Sequence, residues 1–557
     1  MTPQDFVAAL KQHGSMKAIF RANKGTEKHV RWANLVALHA EAVAMGLMER
    51  RGVGRKANEE IKETTAPEPQ GSVKAKATPQ AAAPGPGEVK RFIFTCAQNN
   101  TKLHEGFWKN LLALKEHYKA ELHVSRFLYI KHGLGASGDK AVVVKKERMG
   151  DGENVVWDER LKPYISDGRL EVAPSLVWCG EMNILPTAVR PLSGLEVYTG
   201  RKSMIVPHVK IALESIASTR GEPTKLNYTT GAVTQRNYIQ RKAGLKAEFH
   251  HCYGALLVEV CEDGWFCRQL HADSEGVIHD LDIRVAEGKV HTGNPVEGIT
   301  WGDVHRAEIE RWVLDLAFGT GGMLDQLRPK HQFLHDVLHF RGRSHHELRH
   351  PHTIFKRHVQ GAEDVAKELR EAGEFINRAA RSWCSNVIVG SNHHRHLGRW
   401  LEEQDGRLDP INARIWFKLN EEAYTVIMAG DKTLDYFRLG LWAVDWRNEK
   451  NTVFLHEDDS YVICPDEHGG IECGQHGDLG PNGSRGNIKT FARLGRRTNI
   501  GHSHSAGICD GAYQAGTCGE LSPDWTHGPS SWSHSHIVTY PNGKRAIITM
   551  WKGRWRA

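Results

Sequence analysis

Five short apolar runs in the C-terminal half each end in a polar motif, and this repeat limits what the chain can fold into. Gly298-Ile299-Thr300-Trp301 leads to Asp303 and His305, and Gln332-Phe333-Leu334 leads to His335-Asp336. Asn386-Val387-Ile388-Val389-Gly390 leads to Asn392 and His393. Tyr461-Val462-Ile463 and Gly470-Ile471-Glu472 precede His476, and Asn499-Ile500 precedes His502 and His504. Short apolar runs bounded by glycine and polar residues read as buried strands. Helical spacing follows two of them, through Glu308, Trp312 and Leu316 and again over 362–383, which predicts an α/β sheet. Such sheets gather ligand residues at the carboxyl ends of their strands.

The gathered side chains are carboxylates, imidazoles and an amide. These donors suit Mn, Fe, Zn or Mg, and two such ions about 4 Å apart can clamp the attacking and leaving oxygens of a phosphoryl centre. A single Gly-His-x-His means little in a chain with 33 histidines, 20 of them beyond residue 295. The order of the five motifs and the strand before each carry the weight.

The set resembles the calcineurin-like metallophosphoesterase superfamily over roughly the last 260 residues. The resemblance implies a four-layer β-sandwich flanked by helices over 296–557. It also implies two divalent metal ions, Mn2+ foremost with Mg2+, Fe2+ or Zn2+ as substitutes. Asp303, His305 and His504 would hold one ion, Asn392, His476 and His502 the other, with Asp336 between them and His393 facing substrate as the catalytic residue. Hydroxide held between the cations would then attack phosphorus. Two positions depart from the pattern: His335 stands where a glycine is usual, and His394 where an acid is usual. The chain as a whole resembles the pre-early DNA-transfer proteins of certain tailed phages, through residues 226–259, 476–486 and 501–507. That resemblance implies phage DNA entry and host DNA breakdown, a host-cytoplasmic setting, DNA as partner and other phage DNA-transfer proteins as associates.

At 557 residues the chain is too long for one hydrophobic core. Residues 1–61 read as a small basic helical domain, with Phe6, Leu10, Ile19, Leu35 and Leu38 at helical spacing. Residues 62–89 are a Pro/Ala/Gly linker with too few large apolar side chains to fold. Residues 90–295 read as a mixed α/β domain: strands at 91–95, 121–129, 255–261, 265–271 and 277–285, and a helix over 103–117. The expected class is α/β in each large domain and α+β overall.

No apolar run is long enough to span a membrane, and the N-terminus has no basic-then-apolar signal. Ten cysteines without a CxxC pair indicate reduced thiols. The spacings Cys464 to Cys473 and Cys509 to Cys518 leave a thiolate zinc site as a minor alternative.

Net charge is +7, which favours polyanionic partners without proving one. Arg485 lies in a Gly-rich turn suited to gripping phosphate, and Arg341 and Arg343 belong to a basic run, 339–358, that would funnel a polyanion. Arg236 and Arg241 are interleaved with aromatic and amide residues in a stretch suited to nucleic acid. Glu248, Glu259, Asp280 and Asp282 are a minor alternative metal site. His534 and His536 read as structural. The expected function is a metal-dependent phosphodiesterase of DNase type. A phosphatase acting on small nucleotides or phosphoproteins, and a non-catalytic DNA-transfer scaffold with structural metals, are the alternatives.

Overall fold

The computed structural model describes residues 2–13, 19, 35, 38–39, 42, 78–129, 155–430, 434–448, 451–467 and 469–557. The chain divides into two compact units, residues 1–76 and 77–557.

In the first unit the helix Pro3–His13 starts at a reciprocal cap: the Asp5 amide donates to Thr2 Oγ1 and the Thr2 amide donates to Asp5 Oδ2. Its apolar face buries Phe6 against Ile19, Leu35 and Ala42, so the expected helical spacing does build a small core. The basic residues expected to mark this unit, from Lys17 to Lys56, lie outside the described residues.

Among its described residues the second unit is built on four sheets. A six-stranded sheet runs, in spatial order, Thr452–Phe454, Ser385–Ile388, His331–Leu334, Gly298–Thr300, Ser535–Thr539 and Arg545–Thr549. Its first four strands run parallel, Ser535–Thr539 runs antiparallel to them, and Arg545–Thr549 pairs antiparallel with Ser535–Thr539. Helices cover one face, where Val313, Phe318, Leu369 and Phe375 pack with Ile299, Leu334 and Ile388. The other face meets a ten-stranded sheet, with Phe333 and Val387 against Ile463 and Ile471. Strands covered on both faces are apolar throughout, which explains the continuous runs in the sequence.

The ten-stranded sheet ignores the boundary expected at residue 295. Its order is Val462–Ile463, Ile471–Glu472, Arg497–Ile500, Ala512–Gln514, Gly507–Cys509, Leu213–Ile216, Lys225–Thr229, Ser203–Val206, Leu176–Cys179 and Arg169–Ala173. The junction is an antiparallel pair, Gly507 with Glu214 and Ile508 with Leu213. Part of the expected middle domain is therefore continuous with the C-terminal sandwich. The outer face of this sheet carries loop residues such as Leu192 and the one-turn helix Ile488–Phe491 in place of a layer of long helices.

A four-stranded sheet, in order Glu121–Phe127, Lys90–Gln98, Gly254–Cys261 and Gly264–His271, packs Phe92 and Phe94 on Trp178 and Tyr228 of the ten-stranded sheet. Its other face receives Phe107, Leu111 and Leu114 of the helix Glu105–Tyr118. The single strand expected over 277–285 is two, Ile278–Asp280 and Ile283–Ala286, because Leu281 turns the chain at φ 56°. The end of the expected linker is ordered: Ala81 donates its amide to the Glu171 carbonyl. Among the described residues, no helix is long and apolar enough to cross a membrane.

Candidate metal centre

Asp303, Asp336 and Asn392 follow three adjacent parallel strands of the six-stranded sheet, while His476, His502 and His504 come from the facing edge of the ten-stranded sheet. The two edges close on each other through glycine. A Cβ on Gly501 would lie 2.2 Å from Asp303 Oδ1, and a Cβ on Gly302 would lie 2.7 Å from the backbone of Gly516 and Thr517. Only hydrogen at these positions lets the motifs approach.

His305, Asp336, His502 and His504 adopt φ of 43°, 48°, 71° and 59°, a region that L-residues other than glycine rarely occupy. Such strain persists where the surrounding structure over-determines it, and it concentrates at functional sites.

Asp303, His305, Asp336 and His504 form one buried group whose donor atoms all lie within 4.8 Å of one another; Asp303, His335 and His476 form a second. His305 Nε2 and His504 Nε2 stand 2.9 Å apart, and His504 Nε2 is 3.2 Å from Asp303 Oδ2. Asp336 Oδ2 lies between the groups, 3.3 Å from His476 Nε2 and 3.8 Å from His305 Nε2. His476 Nε2 is also 3.0 Å from Asn392 Oδ1. His502 stands further out, its ring 5.2 Å from that of His476, where it lines the cavity above the centre.

Asp303 Oδ1 and Asp336 Oδ1 are buried without a hydrogen-bond donor, and Asp303 Oδ2 has only the poorly aligned His504 Nε2 beside it, 3.2 Å away. Unsatisfied buried carboxylate oxygens are costly, and a cation is the partner that this donor set lacks. The residues therefore fit metal ions.

Electrostatics agree. Burial pushes the Asp303 and Asp336 carboxyls up, but His504 and His476 beside Asp303, and His476 and His393 beside Asp336, more than offset it and hold both below the usual range. Burial also opposes charge on His476, yet Asp336 and Asp303 raise it to about 9. Burial holds His305, His393 and His502 below the ordinary imidazole value, which keeps their lone pairs available.

His393 Nδ1 lies 2.6 Å from the His339 carbonyl, so that nitrogen carries the proton and Nε2 is the free position. His393 lines a cavity of about 500 Å3 with Asp336, His502, Arg485, Trp525 and Trp532. Arg485 thus reaches the site.

The other arginines do not line this cavity. Arg341 is bound by Glu308, Glu347 and Asp524, and Arg343 by Asp409 and Glu363, so these side chains hold the loop together and the expected funnel loses both. Arg236 lies over the Tyr253 ring in a separate cavity, and Arg241 caps the helix Lys242–His250. The stretch around them is no aromatic nucleic-acid face, because Tyr228 and Tyr238 are buried.

The alternative carboxylate site is also excluded: Glu259 and Asp280 grip the buried Arg268, while Glu248 accepts from Gln240 and Asp282 from the Gly293 amide. None of the metal-capable groups among the described residues contains a cysteine. His534 and His536 are structural: His534 Nδ1 meets the Thr517 carbonyl, and His536 Nδ1 accepts the Gly302 amide.

Two histidines support the candidate ligands: His335, which the sequence marks as a departure from the motif pattern, and His339, which it places in the basic run. His335 Nδ1 is 3.2 Å from His476 Nδ1, and His339 Nδ1 is 3.0 Å from His305 Nδ1, with Glu308 3.3 Å beyond at His339 Nε2. Partners of this kind fix the orientation of a ligand imidazole. The signal for His339 was its position three residues after Asp336, masked by the basic run around it.

Fold and site define a mixed α/β protein whose buried Asp and His groups are able to hold metal ions. No family model matches the chain, and no solved structure matches it. Over 481 residues the chain is 37% identical to Protein A1 of Escherichia phage T5, covering 84% of this chain and 83% of that protein. The chain belongs to the family of that phage protein.

Proposed function

We propose that this protein is a dinuclear metal-dependent phosphodiesterase, a DNase serving host DNA degradation and phage DNA transfer. The observation that carries the reading is the pair of buried carboxylates with unpartnered oxygens, ringed by imidazole nitrogens at the floor of a cavity that also holds His393 and Arg485.

Asp303, His305 and His504 would hold one ion and Asn392, His476 and His502 the other, with Asp336 facing both. Two divalent ions, Mn2+ foremost, would supply charge neutralisation at phosphorus and an acidified water. His393 keeps its Nδ1 proton on the His339 carbonyl and takes up or delivers a second proton at Nε2. Arg485, exposed at the cavity edge, presents a planar guanidinium suited to a phosphate oxygen pair. The phage source of the relative is consistent with action in an infected host cell.

The test is a digestion panel of linear, circular and single-stranded DNA and RNA with Mn2+, Mg2+ or EDTA, run against Asp336→Asn. Mn-dependent DNA cleavage lost in the variant is expected. Hydrolysis confined to a small phosphate monoester would move the reading to a phosphatase, and identical inactivity of both proteins would leave the metals structural.

A further inference from the structure

A second cavity, of about 380 Å3, lies against the metal cavity and shares Trp532 as a wall. The Trp532 ring stands edge-on to the metal-side His504, with centroids 4.2 Å apart. The remaining walls include Trp265 and Trp551, both half-buried like Trp532, with Tyr228 behind them. Trp265 is fixed by its indole N–H, which donates to Ser175 Oγ, and by an edge contact with Tyr228.

The rim is basic. The Lys225 ammonium donates to the Glu196 and Gly200 carbonyls, the Arg220 guanidinium donates to the Ser522 carbonyl, and Arg201, its side chain 86% exposed, pairs with Glu222. The size is at the lower end for small-ligand sites, roughly 300–1,000 Å3, and the lining pairs flat aromatic surface with cations. That combination suits a flat ring joined to an anion.

Resting on the phosphodiesterase reading, we propose that this cavity seats an unstacked base of the strand whose phosphodiester lies over the metal centre. Every base has a π-face, so stacking on indoles accepts any sequence, and the exposed Arg201 and Arg220 are the rim cations placed to meet the adjoining phosphate. One ring separates the two cavities, which makes the seated base a near neighbour of the cleaved linkage. In duplex DNA the base must first leave the stack, which favours single-stranded or damaged substrate.

The test uses the full-length protein in EDTA, so that no cleavage intervenes, and a fluorescent thymidine decamer beside an abasic decamer of equal length. The unmodified protein is expected to bind the thymidine decamer about tenfold more tightly than the abasic one, the size of one base–aromatic stack. Trp265→Ala should bind both as the unmodified protein binds the abasic decamer, and Trp265→Phe should restore most of the difference. Thermal melting of each variant separates loss of the cavity wall from loss of fold.

Equal affinity of the unmodified protein for both decamers, or an unchanged preference in well-folded Trp265→Ala and Trp551→Ala, overturns the proposal. Mn-dependent hydrolysis of bis-p-nitrophenyl phosphate, which carries no nucleobase, reports the metal centre separately. If that activity is absent while the decamer preference holds, the hydrolytic reading fails and the base site stands.

Discussion

Replacing Gly501 by alanine tests whether the close approach of the two sheet edges builds the metal centre. The added Cβ would lie 2.2 Å from Asp303 Oδ1 and 3.3 Å from the His335 ring. Ordinary contact requires the Asp303 carboxylate to retreat by about 1 Å, since non-bonded heavy atoms settle near 3.5 Å. Overpacking of this kind costs about 1–3 kcal/mol of stability, which a large α/β unit survives. A 1 Å misplacement in a catalytic constellation costs about 100-fold in rate.

The assay is Mn-dependent hydrolysis of bis-p-nitrophenyl phosphate, with calorimetric metal titration and thermal melting on the same preparations. Gly495→Ala is the control, because its Cβ would meet nothing within 4 Å, and it should match the unmodified protein. Gly501→Ala should remain folded, bind metal more weakly and lose activity about 100-fold. A folded Gly501→Ala protein with metal affinity and rate within threefold of the control would refute the assignment of Asp303 as a ligand.

Glu308→Gln removes the charge behind the His339–His305 pair, so calorimetric titration should show metal affinity falling about 10- to 100-fold with little change in melting temperature. Arg268→Met strands Glu259 and Asp280 in the interior, and urea unfolding should show a loss of about 3–5 kcal/mol. Burial pushes the Glu259 carboxyl up, but Arg268 holds it below the usual 4.5, so its contribution is complete above pH 4.5 and is lost as pH falls through the lower folded value. Melting from pH 7 to 3 should therefore show the unmodified protein losing stability with acid while Arg268→Met regains part of its deficit. Arg343→Ala breaks contacts to Asp409 and Glu363, so it should lower the melting temperature and leave the salt dependence of DNA binding unchanged; a shallower salt slope would restore the polyanion funnel.

The metal centre was legible because its information is local. Each candidate ligand sits two to five residues beyond a buried strand, and adjacent parallel strands bring Asp303, Asp336 and Asn392 to one edge. What stayed hidden depends on distant partners. Arg341 and Arg343 look like free charge in a basic run until Asp524 and Asp409 arrive from elsewhere in the chain. Tyr228 and Tyr238 look like stacking platforms in a polar stretch, and only contacts with distant parts of the chain bury them. The pairing of Gly507–Cys509 with Leu213–Ile216 joins residues nearly 300 positions apart, and periodicity carries no trace of it. Leu281 broke an expected strand through one left-handed residue, which a leucine does not advertise.

That same pairing decides how the chain tolerates being cut. A fragment beginning near residue 296 keeps every metal ligand yet exposes the raw edge of Gly507–Cys509, whose amides and carbonyls would seek another strand. Bare edges of that kind drive aggregation. A cut near residue 296 should therefore leave the half with the candidate metal centre prone to aggregate, because the strand that covers its edge is made almost 300 residues earlier in the chain.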